Sequence, residues 1–168
     1  MRKKIAVYGF LAELSDLCKV LLLKQDLVLI CVTGKAGAGK STFGKHVRKN
    51  GFGSFGKSGI AVIDDSVMSL DLFYVLNKRV RIKSAEKDEL EPFLELLPKR
   101  KKVVFYVNTT PERRVSQADI ILHLSLNDED ERLRRLKERG DVISETHFID
   151  SVNAKKDISY KYYLSKKV

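Results

Sequence analysis

Apolar residues recur along the chain in two periods, and their alternation lays out the elements. The runs "DLVLICV" at 26–32 and "VVFYVN" at 103–108 are apolar almost throughout, which is the pattern of a strand covered on both faces. "IAVID" at 60–64 and "ADIILHLSL" at 118–126 read the same way, while "KKIAVYGF" at 3–10 and "ISYKYYL" at 158–164 predict a first and a last strand. Within 11–24, apolar positions 14, 17, 18, 21 and 22 share one helical face. "STFGKHVRKN" at 41–50 and "NDEDERLRRLKERG" at 127–140 predict two further helices. Residues 66–97 read as two helical pieces, 66–78 and 85–97, with the basic segment "KRVRIK" between them and Pro98 closing the second. Thr110-Pro111 has the form of an N-cap followed by a first-turn proline. The glycine-rich stretch 50–59 is expected to be a flexible connection.

Strands that alternate with helices predict a three-layer α/β/α fold around a mainly parallel sheet. In such a sheet ligands bind at the C-terminal ends of the strands, where residues 34–40, 64–65 and 108–110 would meet. A chain of 168 residues without a low-complexity tract reads as a single domain over 1–168. Within it, 1–26 is expected to form an added N-terminal strand-helix unit, and 66–100 and 127–147 are expected to form subregions of their own.

Composition narrows the classes. Cys18 and Cys31 lie far apart in apolar runs, and His46, His123 and His147 show no ligand spacing, so neither a disulfide framework nor a zinc site is expected. Glu13 and Asp16 interrupt the N-terminal apolar run, and no stretch approaches the roughly 20 apolar residues of a membrane span, so a soluble cytoplasmic protein is expected. The net charge of +10 is uneven: residues 1–60 carry +8, 61–150 carry −2 and 151–168 carry +4. An anionic partner is implied, which a nucleotide satisfies as well as a nucleic acid does. The Lys-rich tail "YKYYLSKKV" also reads as plain solvated surface.

The strongest chemical signal is "VTGKAGAGKST" at 32–42, which fits G-x-x-x-x-G-K-S between a predicted strand and a predicted helix. Gly34, Gly37 and Gly39 let the backbone curl around phosphates, whose charge suits the N–H groups of a helix start. Gly34, Lys35, Ala36, Gly37, Ala38, Gly39, Lys40, Ser41 and Thr42 are therefore the expected nucleotide-binding residues. Lys40 is assigned to the β- and γ-phosphates, Ser41 to Mg²⁺ and Thr42 to the α-phosphate. Other phosphate-loop classes fit less well. "NKRV" at 77–80 has Val80 where a guanine-reading aspartate should stand, and no D-x-x-G occurs. RecA-like and AAA-type motors usually extend further beyond the loop than this chain does.

Three stretches, "VTGKAGAGKSTFGKHV", "AVIDDS" and "ADIILHLSLNDEDERLRRLKERG", make the chain resemble the nucleoside and nucleotide kinase branch of P-loop proteins, near dephospho-coenzyme A kinase and the nucleoside monophosphate kinases. The resemblance implies a kinase-like P-loop NTPase fold, with ATP and Mg²⁺ as cofactors and an anionic small molecule as acceptor. By the same resemblance Asp64 and Asp65 sit where a carboxylate meets the acceptor or the metal shell, although Asp65-Ser66 equally reads as a helix cap. The family also places arginines on a lid helix. Here Asp128, Asp130 and Glu131 stand four residues before Arg132, Arg134 and Arg135, whereas Arg139 has no acid at helical spacing. Arg139 is thus the first candidate for the phosphates and Arg135 the second, against the alternative of a cation placed at a helix C-terminus. The segment 78–81 could hold an anionic acceptor or be solvated surface.

Two features depart from the family: Asn108 stands where many relatives have an aspartate, and the 1–26 unit precedes the usual start. The expected activity is transfer from ATP to a nucleotide, nucleoside or coenzyme precursor. The alternatives are a nucleotide-binding ATPase switch or regulatory module, and a nucleic-acid end kinase, which is not favoured for want of an RNA-binding motif.

Overall fold

The computed structural model describes residues 9–64, 90–145 and 154–168. Its strands are β1 (Val28–Thr33), β2 (Ile60–Asp64), β3 (Val103–Val107), β4 (Ile120–Ser125) and β5 (Tyr162–Lys167). They pair in the order β2-β3-β1-β4-β5, every pair parallel. The helices are α1 (Leu11–Leu22), α2 (Lys40–Asn50), α3 (Glu91–Glu95), α4 (Glu129–Glu138) and α5 (Ala154–Asp157). This is the three-layer α/β/α arrangement expected from the alternation of patterns, with an all-parallel sheet.

Side-chain alternation along the central strand explains why its sequence is apolar throughout. Val28, Ile30 and Val32 face a core shared with Leu14 and Cys18 of α1 and with Phe43 and Val47 of α2. Cys31 faces the opposite core with Tyr106, Ile121, Leu90, Ala154 and Ile158. The two cysteines form no disulfide and are fully buried on opposite faces of the sheet. Burial, with the nearby Asp119 charge adding to it, pushes the Cys18 thiol up to about 12, so it behaves as a small apolar residue.

The structure corrects several expectations. Residues 3–8 of the expected first strand lie outside the described residues, and at its far end Phe10 has helical backbone angles and leads directly into α1. α1 itself belongs to the core: Phe10 stacks on Phe43 at 5.9 Å, and Glu13 pairs with Lys166 of β5 at 2.5 Å. The last strand runs from 162 to 167, later than its apolar content indicated, because pairing of Ile120 with Tyr162 sets its start. Ile158 is instead buried in the second core before the strand begins. Of the helix expected over 85–97, only Glu91–Glu95 appears in the part described, and the helix expected over 66–78 lies outside the described residues. Among the described residues no helix is long and apolar enough to cross a membrane.

The glycine-rich connection is not a loose tether. Phe52 and Phe55 exchange two backbone hydrogen bonds, of 3.0 and 2.9 Å, and their rings stack at 5.1 Å. Phe52 also meets the edge of Phe105 at 5.2 Å and is buried, while the Ser54 N–H donates to Ser15 Oγ of α1. Aromatic burial at this level outweighs the freedom of the glycines around it. Phe52→Ala should therefore lower the unfolding free energy by about 3 kcal/mol. Leu23→Ala, at a side chain that is 84% exposed, should change it by less than about 0.5 kcal/mol. Urea unfolding of both variants checks this, and equal midpoints would contradict a packed turn.

Candidate functional site

β1 delivers the chain to the C-terminal edge of the sheet, where buried Thr33 donates from Oγ1 to the carbonyl of Thr109 at 3.2 Å and ties the ends of β1 and β3. From Gly34 the backbone curls for six residues before α2 starts at Lys40. α2 has no acid in its first turn and no side chain capping its N–H groups, so the positive end of its dipole faces the loop. Glycine is required at two places for different reasons. A Cβ on Gly34, whose φ is +136°, would lie 2.1 Å from the carbonyl oxygen of Leu124 in β4. One on Gly37, at φ +83°, would lie 3.0 Å from Cγ and 3.1 Å from the carbonyl oxygen of Arg132 in α4. Lys40 Nζ is buried and donates to the carbonyls of Gly34 at 2.7 Å and Lys35 at 2.9 Å.

The loop forms one wall of a cavity of about 460 Å³. Ala36, Gly37, Gly39, Lys40, Ser41 and Thr42 line it, whereas Gly34, Lys35 and Ala38 do not. Ala38 is packed in the interior, and Lys35 extends toward Glu129 at 3.9 Å. Asp64, at the end of β2, lines another wall with Asn108 and Thr109 from the end of β3. Asp65 lies outside the described residues, as does the basic segment at 78–81. Both strand ends reach one rim because the parallel register sets Asp64 beside Val107.

Asn108 is committed to the turn. Its Oδ1 accepts from the Thr110 N–H at 2.9 Å and its Nδ2 donates to the Tyr106 hydroxyl at 2.8 Å. The N-cap expected of Thr110 is thus not made by its own side chain, and Asn108 shapes the entry to the 3-10 turn Pro111–Arg113 instead.

α4 closes the site. Asp128 caps it, its Oδ1 accepting from the N–H groups of Asp130 and Glu131 at 2.9 and 3.1 Å. That use of Asp128 changes the ion pairs expected from spacing. Arg132 instead pairs with Glu129, and Arg134 pairs with Glu131 and Glu138, while Arg135 keeps the expected partner Glu131. Arg135, Glu138 and Arg139 face the cavity.

The expectation that Arg139 lacks an acidic partner is overturned: its Nη2 lies 3.3 Å from Asp141 Oδ2. Helical spacing could not show this contact. The helix ends in a Schellman turn, with Gly140 N–H on the Lys137 carbonyl and Asp141 N–H on that of Leu136, which folds Asp141 back toward the last turn. Both side chains are largely exposed, so the pair is weak and leaves Arg139 free to exchange partners.

Arg132 is the site residue that pattern reading missed. It is 1% exposed, and its Nη1 donates to the Ala36 carbonyl at 2.6 Å. The signal was its place four residues before buried Leu136, on the inner face of the helix. Glu138 was likewise unanticipated as a cavity residue.

A family model described as an AAA domain matches residues 30–151. The span takes in most of β1, the loop, β2 to β4 and α4, and leaves out α1, α5 and β5. Domains of this type occur in P-loop kinase-like proteins, nucleotide kinases among them, and the match shows a P-loop nucleotide-binding domain. No curated protein matches the chain.

The hydrogen bond from Arg132 above all holds the Glu129 carboxyl below its ordinary value of 4.5; burial opposes it, and the charges of Arg132 and Lys35 add to the lowering. Its folded pKa is depressed, so the stabilisation is fully present above the unfolded value and is lost as pH falls through the folded one. Glu129→Gln should therefore flatten the loss of thermal stability below about pH 4.5. Melting curves from pH 3 to pH 7 check the effect, and parallel curves for variant and wild type would contradict it.

Proposed function

The chain belongs to this AAA-domain family, and we propose that it is a kinase that transfers the γ-phosphoryl group of ATP, with Mg²⁺, to a small hydroxyl- or phosphate-bearing acceptor. A nucleotide, nucleoside or coenzyme precursor fits that description. The observation that carries the reading is the convergence on one cavity of the start of α2, the Asp64 carboxylate and the Arg135 and Arg139 guanidinium groups. Phosphoryl transfer consists mostly of positioning and charge neutralisation, and these groups supply both.

The roles follow from position. Backbone N–H groups of the loop and first turn of α2 bind phosphate oxygens. Lys40 exchanges the carbonyls of Gly34 and Lys35 for the β- and γ-phosphates. Asp64, with Asp65 beside it in sequence, takes the acceptor proton or orients the acceptor. Arg139, and then Arg135, answers the charge that builds on the transferred group.

The donors at the site suit Mg²⁺. The Ser41 hydroxyl and Asp64 carboxylate are hard oxygen ligands on the cavity wall, and Mg²⁺ takes few protein ligands while keeping several waters. Among the described residues no group of three His, Cys, Asp or Glu side chains could hold a metal by itself. Bound there, the ion would neutralise phosphate charge.

A second reading, a nucleotide-binding switch module, is favoured by Asn108, an amide bonded to Thr110 and Tyr106 at the rim position where the resembled kinases have an aspartate. An acceptor that is the 5′ end of a nucleic acid is motivated only by the net charge of +10.

The two readings separate in a transfer assay with γ-labelled ATP and Mg²⁺ against pooled nucleosides, nucleoside monophosphates, dephospho-coenzyme A and oligonucleotide 5′ ends. A labelled product identifies the acceptor class, while tight ATP binding with no product favours the switch. Lys40→Ala should weaken ATP binding by about 100-fold under either reading, as measured by calorimetric titration. Asp64→Asn should slow transfer by at least about 100-fold while leaving ATP affinity within about threefold. An unchanged transfer rate would remove Asp64 from the chemistry.

A further inference from the structure

The first turn of α4 is built onto the tip of the phosphate loop, and the buried part of the joint is the Arg132 side chain. Arg132 is almost completely buried, and its guanidinium reaches both Glu129 and Ala36. Nε and Nη2 form a two-point pair with the Glu129 carboxylate, and Nη1 donates to the Ala36 carbonyl at 2.6 Å. A buried guanidinium needs such a partner, and Glu129 neutralises it within the same helical turn. The charge is therefore already answered inside the protein, and Arg132 does not line the cavity as Arg135 and Arg139 do.

Its bond to Ala36 has a geometric consequence. The chain has no cis peptide bond among the described residues, and in a trans peptide the carbonyl and the following N–H point in opposite directions. Drawing the Ala36 carbonyl toward α4 turns the Gly37 N–H away from α4. Gly37 lines the cavity. The approach is also as close as it can be: a Cβ at residue 37 would meet Arg132 Cγ at 3.0 Å and Leu136 Cγ at 3.2 Å.

We infer that Arg132 is a positioning residue that fixes the peptide between Ala36 and Gly37, so that the Gly37 N–H is held ready as a donor to nucleotide phosphate. The inference rests on the reading of the loop as a phosphate site. It adds that part of the loop's shape is imposed from α4, 96 residues away in sequence, rather than by the loop's own glycines. The first turn of α4 is then a fixed anchor, and any movement of Arg135 and Arg139 over a nucleotide must arise in later turns.

The test compares wild type, Arg132→Met and Arg132→Lys. Met keeps the buried stem and removes the donors, whereas Lys keeps the charge and one donor. ATP and ADP affinities come from calorimetric titration, folding from circular dichroism and melting curves, and the state of the Gly37 amide from its ¹H–¹⁵N resonance during ADP titration. The expected result is a folded Arg132→Met with ATP binding weakened about tenfold or more, and recovery of at least half of that loss, on a logarithmic scale, in Arg132→Lys. The Gly37 amide should shift on ADP addition in wild type and in Arg132→Lys. ATP affinity within twofold of wild type in folded Arg132→Met would overturn the inference. If Arg132→Met does not fold, the Gly37 resonance decides: one that ignores ADP in wild type that binds it overturns the inference, and one that responds in wild type and Arg132→Lys alike supports it. Wild type that binds neither ATP nor ADP would remove the phosphate-site reading itself, and the inference with it.

Discussion

Enclosure of β1 is the constraint from which the rest of the architecture proceeds. With β3 on one side and β4 on the other, the backbone of Val28–Thr33 is committed to two ladders, and helices cover both faces of its side chains. A parallel strand so enclosed can release the chain only at its ends. At the C-terminal end the backbone must turn against Leu124 of β4, where the absence of a Cβ on Gly34 lets it pass. The loop, the start of α2 and the position of Lys40 are consequences of that exit, and so is the meeting of Asp64 and Asn108 at the same rim, since parallel neighbours end together.

Above the rim the site is shaped by α4. The helix has a polar outer face laced with ion pairs between Arg134, Arg135, Glu131 and Glu138, which are exposed enough to contribute little to stability. Its inner face carries Leu136 and Arg132, and there a single buried cation joins helix to loop. The same helix thus combines a rigid attachment at its first turn with solvated arginines at its last, and the two ends suit different work: one orients backbone, the other can exchange partners when a polyanion is at hand.

The basic excess near the loop and in the tail resolves into unlike parts. Lys40 is buried among carbonyls, Lys166 is tied to Glu13, and Lys161 to Asp119 at 2.8 Å. Part of the net positive charge therefore serves internal contacts, and formal charge overstates the cationic surface that a nucleic acid would meet.

Much of the fold was legible in the sequence because strands buried on both faces must be apolar at every position, and four runs of that kind predicted β1 to β4. The phosphate loop was legible because its chemistry needs small residues at fixed intervals ahead of Lys-Ser. The limits of β5 were less so, since an edge strand carrying Lys166 and Lys167 takes its register from its neighbour. The Phe52–Phe55 turn hid behind its glycines, whose freedom was outweighed by two rings that reach Phe105. Local sequence determined which faces would be apolar, where the loop lies and which groups could meet phosphate. Only the tertiary structure decided that Arg132 faces inward to Ala36, that Asp141 folds back to Arg139 and that the Asn108 amide ties the Thr110 N–H to the Tyr106 hydroxyl. Such contacts join residues through the meeting of separate elements or the path of a turn, and periodicity records which way a side chain faces without recording what waits there.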